Sequence, residues 1–304
     1  MTDSEPHVWL VTGSSTGMGR ALAEAIIERG DRLIATARNV AQIEDLAERG
    51  GERFQAARLD VLEPASIAAA IDIGLSRFER IDTLVHCAGA GLVGSIEESS
   101  RSEIERVFET NMYGVLNTIN GVLPHMRERR SGQIGVITSQ GAFQGQQGCG
   151  IYCASKAATN AICEALAAEV TALGIGVTII EPGLVATNFH SAIVQAEQRL
   201  PDYDASCGPL RRAVLEGNPP TAHDARLAAN AILTALSAPR PPLNMPLGAD
   251  AVNLVRHKLA FVTAELDRWE DVAVAVKGSQ PLPGPGEPWN PLQWGGPLVG
   301  SEEG

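Results

Sequence analysis

Tyr152-Cys153-Ala154-Ser155-Lys156 places a phenol and an ammonium four residues apart, just ahead of the stretch AATNAICEALAAEV. On a helix, residues four apart lie on one face, one turn from each other. A free phenol ionises near about pH 10, too high to trade protons readily at neutral pH. A nearby cation favours the phenolate and lowers that value. The spacing therefore suits an acid–base group and its tuner, with helix packing as the plainer alternative. Ser139 closes the apolar run GQIGVITS, where its hydroxyl can donate to a substrate oxygen beside Tyr152 or cap a strand end. A flexible segment, QGAFQGQQGCG, lies between the two.

A second cluster is TGSSTGMG, residues 12–19. Gly13 suits a tight turn, Gly17 admits backbone close to a pyrophosphate, and Gly19 lets helix and strand pack closely. Ser15, Thr16 and Met18 lie between them, where a following helix offers unpaired N–H groups and a partial positive charge to phosphates. Such a loop implies a dinucleotide. NAD-preferring folds carry an acid at the end of the second strand. Here that strand ends Ala35-Thr36-Ala37-Arg38, with no carboxylate. Arg38 suits a 2′-phosphate through its planar fork, or else a solvated surface. NADP(H) is thus expected over NAD(H). Asp60, with Val61 after it, ends the third strand and can accept from an adenine amino group or serve a turn. Pro182 and Gly183 follow the sixth strand and can approach a nicotinamide. Beyond them are Val185 and Thr187; Thr187 can bond the carboxamide or a phosphate, cap a helix, or do both.

These residues need a frame. Apolar runs at 7–13, 32–38, 53–60, 81–89, 132–139 and 174–183 alternate with helical patterns at 18–30, 40–49, 64–78, 100–130 and 151–173. Pro64 suits a first helical turn and Pro124 a kink. The alternation predicts an α/β fold, a Rossmann-like doubly wound parallel sheet with helices on both faces. Its ligand crevice opens at the carboxyl ends of the strands. Segment 184–222, broken by Pro and Gly, reads as a mobile substrate lid. A helix over 223–237, an edge strand at 243–248 and a long amphipathic helix over 249–274 follow. One domain is expected over 1–277, then a Pro/Gly-rich tail over 278–304. Its composition suits disorder, whereas Trp289 and Trp294 argue for docking.

Composition narrows the partners. The 304 residues carry a net charge of −12 and no basic cluster, which argues against nucleic acid. No run of about eighteen apolar residues would span a membrane. Acidic residues stand at the N-terminus where a signal peptide needs basic ones. A soluble, cytoplasmic protein is expected. The five cysteines are odd in number and suit neither a zinc site nor a disulfide framework, so reduced thiols and no metal are expected.

Taken together, TGSSTGMG, Asp60, the Ala88-Gly89 of CAG, Asn111, Ser139, YCASK and Pro182-Gly183 resemble the short-chain dehydrogenase/reductase family, in its order, over roughly residues 7–190. The resemblance implies NAD(P)-linked chemistry on alcohols and carbonyls. It also implies that Lys156 holds the nicotinamide ribose and that Asn111 holds a water relaying protons to Lys156. A homodimer or homotetramer through helices within 100–130 and 151–173 is implied as well. One departure is Cys87, where the family usually has an Asn that braces the sheet; a thiol is a poor donor and acceptor. The expected activity is NADPH-dependent reduction of a ketone or aldehyde, or oxidation of the matching secondary alcohol. Tyr152 protonates the alkoxide, Ser139 stabilises its charge, and Lys156 tunes Tyr152. Gln140, Phe143, Gln144, Gln147, Cys149 and the lid suggest a medium-sized organic substrate of steroid, polyketide or retinoid type. The alternatives are epimerisation, dehydration or cyclisation on the same scaffold, and a non-catalytic NADP(H)-sensing module.

Overall fold

A computed structural model describes residues 6–275. Seven parallel strands form one sheet: β1 (Val8–Val11), β2 (Arg32–Ala37), β3 (Phe54–Arg58), β4 (Thr83–His86), β6 (Gly132–Ile137), β7 (Ile175–Pro182) and β9 (Asn244–Leu247). Their spatial order is β3-β2-β1-β4-β6-β7-β9, so the chain reverses direction across the sheet between β1 and β4. The strands are nearly all apolar because both faces are covered. Successive side chains alternate between those faces. Val8 and Leu10 join the core beneath α3 (Pro64–Phe78), α5 (Gly114–Arg129) and α6 (Gly150–Val170). Trp9 and Val11 join the opposite core, beneath α1 (Gly17–Arg29) and α8 (Ala225–Leu236).

Pro64 opens α3, as its fixed φ and missing N–H favour. The sequence expectation departs from the structure in three places. The helix expected over 40–49 is a 3₁₀ turn, Val40–Gln42, followed by the short α2 (Leu46–Gly50). The long helix over 100–130 is not interrupted at Pro124, which lies exposed inside α5. Its break is a π-helical turn, Glu109–Tyr113, inserted between α4 (Arg101–Phe108) and α5. Finally, segment 184–222 is more regular than its Pro and Gly content implies. It contains a 3₁₀ stretch Asn188–Ala192, strand β8 (Ile193–Gln195), a 3₁₀ turn Pro201–Tyr203 and helix α7 (Asp204–Glu216).

That segment is tied down on the chain before α4. β8 pairs in parallel with β5 (Gly91–Val93). Glu98 is fully buried and forms an ion pair with Arg211 of α7. Its carboxylate also accepts from the N–H of Ser95 at 2.7 Å and of Leu200 at 2.8 Å. These donors outweigh burial and hold its pKa down to about 2. The Glu197 N–H donates to Glu103 at 3.0 Å. After β9, the long helix α9 (Ala249–Val274) closes the described chain, with the bounds the sequence predicts. No described helix is long and apolar enough to cross a membrane. Trp289 and Trp294 lie outside the described residues.

Gly19 shows how tightly the first turn of α1 sits on the sheet. A Cβ there would lie 2.3 Å from the carbonyl oxygen of Gly13 and 3.1 Å from that of Thr12. Both are backbone atoms and cannot swing aside. Gly19→Ala should therefore destabilise the fold by roughly 1–3 kcal/mol, the usual range for overpacking. Chemical denaturation of the variant beside wild type measures it.

Candidate active site

The glycine loop leaves β1 at the point where the sheet's direction reverses. Gly13 (φ +69°) and Gly17 (φ +60°) occupy left-handed backbone that other residues adopt at a cost. A Cβ on Gly13 would come within 3.3 Å of the Ala88 nitrogen, so β1 and β4 nearly touch here. Thr16 is the N-cap of α1, with extended backbone and no side-chain cap bond. Ser15 and Met18 are half-buried beside it. Thr187 faces the loop from the far side: its Cβ would be 3.7 Å from a Cβ on Gly17. Thr187 also caps the 3₁₀ stretch after it, accepting from the Phe189 N–H at 3.2 Å.

Thr12 supplies a brace that does not use the Cys87 side chain. Its fully buried hydroxyl oxygen accepts from the Cys87 N–H at 2.9 Å and the Ala88 N–H at 3.3 Å. A threonine side chain thus fastens the start of the crevice across the β1–β4 gap. Gly89 follows, so close to the site that a Cβ on it would lie 3.4 Å from Lys156 Nζ and 3.5 Å from Asn111 Oδ1.

Asn111 sits in the π-helical turn, fully buried. Its amide exchanges two hydrogen bonds with the Ala90 backbone, at 2.8 and 2.9 Å, and donates to Ser155 Oγ at 2.9 Å. Its carbonyl accepts from Thr159 at 2.9 Å. Asn111 thus ties the loop after β4 to the helix that carries Tyr152 and Lys156. Ser155 and Thr159, neither singled out in the sequence, complete this tie.

Tyr152 and Lys156 lie on consecutive turns at the start of α6. Lys156 is buried, with Nζ 5.9 Å from the Tyr152 ring centroid and donating to the Ile137 carbonyl at 3.1 Å. Burial pushes its pKa down to about 8. Ser139 lies just past the end of β6 rather than on it. Its hydroxyl is hydrogen-bonded to Tyr152 and accepts from the Gly141 N–H at 3.1 Å. The phenol does not show the lowered pKa expected from Lys156. Burial is the larger effect and raises it, while the bond with Ser139 acts the other way. Phe189 packs on the exposed side of Tyr152, ring centroids 6.1 Å apart.

Pro182 and Gly183 end β7 at the same edge of the sheet. The Gly183 N–H donates to the Leu247 carbonyl at 2.9 Å. Asp250, at the start of α9, accepts from the Leu184 N–H at 2.7 Å and pairs with His223 at 2.7 Å. Val185 bridges to His223 in the backbone. Asp250 and His223 thus hold this turn, though no local motif marks them. Arg38 is exposed at the end of β2. Asp60 accepts from the Leu62 N–H at 3.0 Å, the turn role weighed beside the adenine one, while Val61 is buried in the core.

The donor set fits a dinucleotide. Backbone is exposed where side chains would block it, at Gly13, Gly17 and Gly89, and the start of α1 lacks a side-chain cap. A family model described as short chain dehydrogenase matches residues 7–198. The chain belongs to the short-chain dehydrogenase family. It is accordingly an oxidoreductase. A solved short-chain dehydrogenase from Streptomyces avermitilis is 38% identical, with a TM-score of 0.84, covering 91% of this chain and 100% of its own. One from Burkholderia cenocepacia, solved with NADP, is 25% identical, with a TM-score of 0.68 over 87% and 97% of the two chains. One from Burkholderia phymatum, solved with NAD, is 24% identical; it shares the fold with a TM-score of 0.70 over 93% and 100%.

One turn beyond Lys156 on α6, Asn160 donates to the buried carboxyl of Glu181 on β7 at 3.1 Å. Asn160 Oδ1 and Glu181 Oε2 have no other partner. A charged carboxylate would leave a buried oxygen without a donor, which favours the neutral form. Burial raises the carboxyl to about 7, aided by Glu164 and opposed by the Asn160 amide and the Met245 N–H. The folded chain therefore keeps a proton that the unfolded chain, titrating near 4.5, releases. That stabilisation is complete below about pH 4.5 and lost as pH rises through about 7. Glu181→Gln stays uncharged at every pH. Its Tm should exceed that of wild type by a few degrees at alkaline pH (about 2–4 °C per kcal/mol in larger domains) and match it near pH 5. Thermal scans across pH measure the difference.

Proposed function

We propose that the protein is an NADP(H)-dependent reductase of ketones or aldehydes, equally able to oxidise the matching secondary alcohol. The observation that carries this reading is the gathering of Tyr152 with Ser139 and Lys156, and of Lys156 with Asn111 beside Gly89, at the sheet edge where the glycine loop opens. When bound, the dinucleotide supplies or accepts the hydride. Gly13, Ser15, Thr16, Gly17, Met18 and Gly19 hold its pyrophosphate on the start of α1. Arg38 pairs with the 2′-phosphate, and Asp60 and Val61 border the adenine. Ala88 and Gly89 leave room above β4, and Pro182, Gly183, Val185 and Thr187 close the nicotinamide end.

The chain's own residues then handle the proton. Tyr152 donates its phenolic hydrogen to the developing alkoxide, which Ser139 steadies with a hydrogen bond aimed where charge appears. Without help, burial would make the resulting phenolate costly. Lys156, an ammonium with its own pKa lowered to about 8, opposes that cost and supplies the proton's path through the site. Asn111 fixes the loop and helix that set these distances. The exposed ring of Phe189 beside Tyr152, together with Cys149 and the segment 184–222, suits a medium-sized organic substrate. Assembly into a homodimer or homotetramer belongs to the same reading.

Tyr152→Phe should keep NADPH binding and lose turnover by about 10²–10⁴-fold, the range for general acid–base catalysis. Fluorescence titration with NADPH and its consumption with a panel of ketones measure both; unchanged turnover rejects the assignment. Arg38→Asp should cut the preference for NADPH over NADH by roughly 10- to 100-fold, since a hydrogen bond to a charged group contributes about 1.5–3 kcal/mol. The ratio of kcat/KM for the two cofactors reads this. Binding without turnover across the ketone panel would favour a sensing module instead.

A further inference from the structure

Two thiols flank Tyr152 in a way that the reductase chemistry does not use. Cys149 is the N-cap of α6 and Cys153 lies one turn on, on the same side. Their sulfur atoms are 3.7 Å apart, in van der Waals contact. Four residues of helix advance about 6 Å, within the 4.4–6.8 Å between Cα atoms that a disulfide spans. The backbone at Cys149 (φ −142°, ψ 29°) is outside the helix, so its side chain is not held to helical rotamers. Cys149 is half-buried and Cys153 buried, which leaves an approach for a small oxidant from the Cys149 side.

The other thiols are differently placed. Cys87, half-buried, and Cys163, buried, lie near Lys156, and burial pushes each up to about 12. Cys207 of α7 is buried near Gly148, where a Cβ would come within 3.4 Å of its own Cβ. Cys149 and Cys153 share a thiol–thiol hydrogen bond, and the thiolate of such a pair is the reactive form.

We propose that Cys149 and Cys153 form a reversible oxidation site, closing to a disulfide with hydrogen peroxide or an organic hydroperoxide. One thiolate of the pair attacks a peroxide oxygen. The O–O bond breaks, the leaving hydroxide or alkoxide takes a proton to become water or an alcohol, and a sulfenic acid remains. The partner sulfur then displaces that hydroxyl as water, and the S–S bond forms. Two thiols lose two electrons and two protons, and the peroxide becomes two waters, or one water and an alcohol. An external dithiol reverses the step by exchange. Cys153 Sγ packs against the turn that Ser139 caps, 3.0 Å from the position of a Cβ on Gly141. Closing the S–S bond must move this sulfur, and the turn it packs on carries Ser139, which is hydrogen-bonded to Tyr152. The bond itself is independent of the reductase reading; its effect on turnover rests on that reading.

The full-length protein, reduced and then treated with a few equivalents of hydrogen peroxide, tests this. Its thiol count in denaturant should fall from five to three. Its mass should fall by about 2 Da, for two hydrogens. Non-reducing peptide mapping should join Cys149 to Cys153, and dithiothreitol should restore all five thiols. Cys149→Ser and Cys153→Ser should each abolish the mass loss, and Cys207→Ser should retain it. Five thiols persisting, a link to Cys207 or between two molecules, or oxidation past the sulfenic acid without a link would overturn the site. Turnover that falls with the bond and returns with dithiothreitol ties it to Tyr152. A bond formed with turnover untouched breaks that tie.

Discussion

The site depends on an ammonium taken out of water. Lys156 is buried and rests on one backbone carbonyl, that of Ile137. Such a group persists only where the surrounding structure fixes it, because an unpaired buried charge is expensive. Several elements bear on it together. β6 presents the carbonyl, α6 carries the lysine, the loop after β4 supplies Gly89, and the π-helical turn brings Asn111 alongside. Loosening any of these would hydrate the amine. The doubly wound sheet is thus the frame that brings four separate stretches of chain to one cation.

Much of this was legible in the sequence where the cause is local. Strand and helix periodicity, the glycine spacing, Pro64 at a helix start and the four-residue step from Tyr152 to Lys156 each act within a turn or two of chain. The bounds of α9 and the edge position of β9 were readable for the same reason. Long-distance partners were not. Thr12 braces Cys87 from 75 residues away, Glu98 meets Arg211 across 113, and Asp250 supports Leu184 across 66. No motif joins such pairs, because their contact is made by the topology. The regular elements inside 184–222 were hidden by Pro and Gly that the fold accommodates at turns and, for Gly208 and Pro209, inside α7. The phenol's raised pKa was hidden too, since burial is a property of the packed chain.

The two ionisable acids behind the site illustrate opposite uses of burial. Glu98 collects three strong donors and stays ionised, which holds α7 and β8 against the body of the protein. Glu181 has one amide and one backbone donor and is best satisfied when neutral. The chemistry of the side chain is the same in both, and the count of donors decides the charge. That difference separates a fixed anchor from a group that can change state near neutral pH.

The π-helical turn has a consequence for how this chain can vary in length. It holds one residue more than a regular helix would across the same stretch, and that surplus turns Asn111 inward. Deleting a single residue there would leave an unbroken helix from Arg101 to Arg129, locally more regular than the original. Each residue advances a helix by roughly 100°, so the side chains before the deletion would rotate off their present faces. The amide would leave Ala90 and Ser155 while the strands stayed in register. Insertions and deletions in this helix are therefore filtered by the site rather than by the fold.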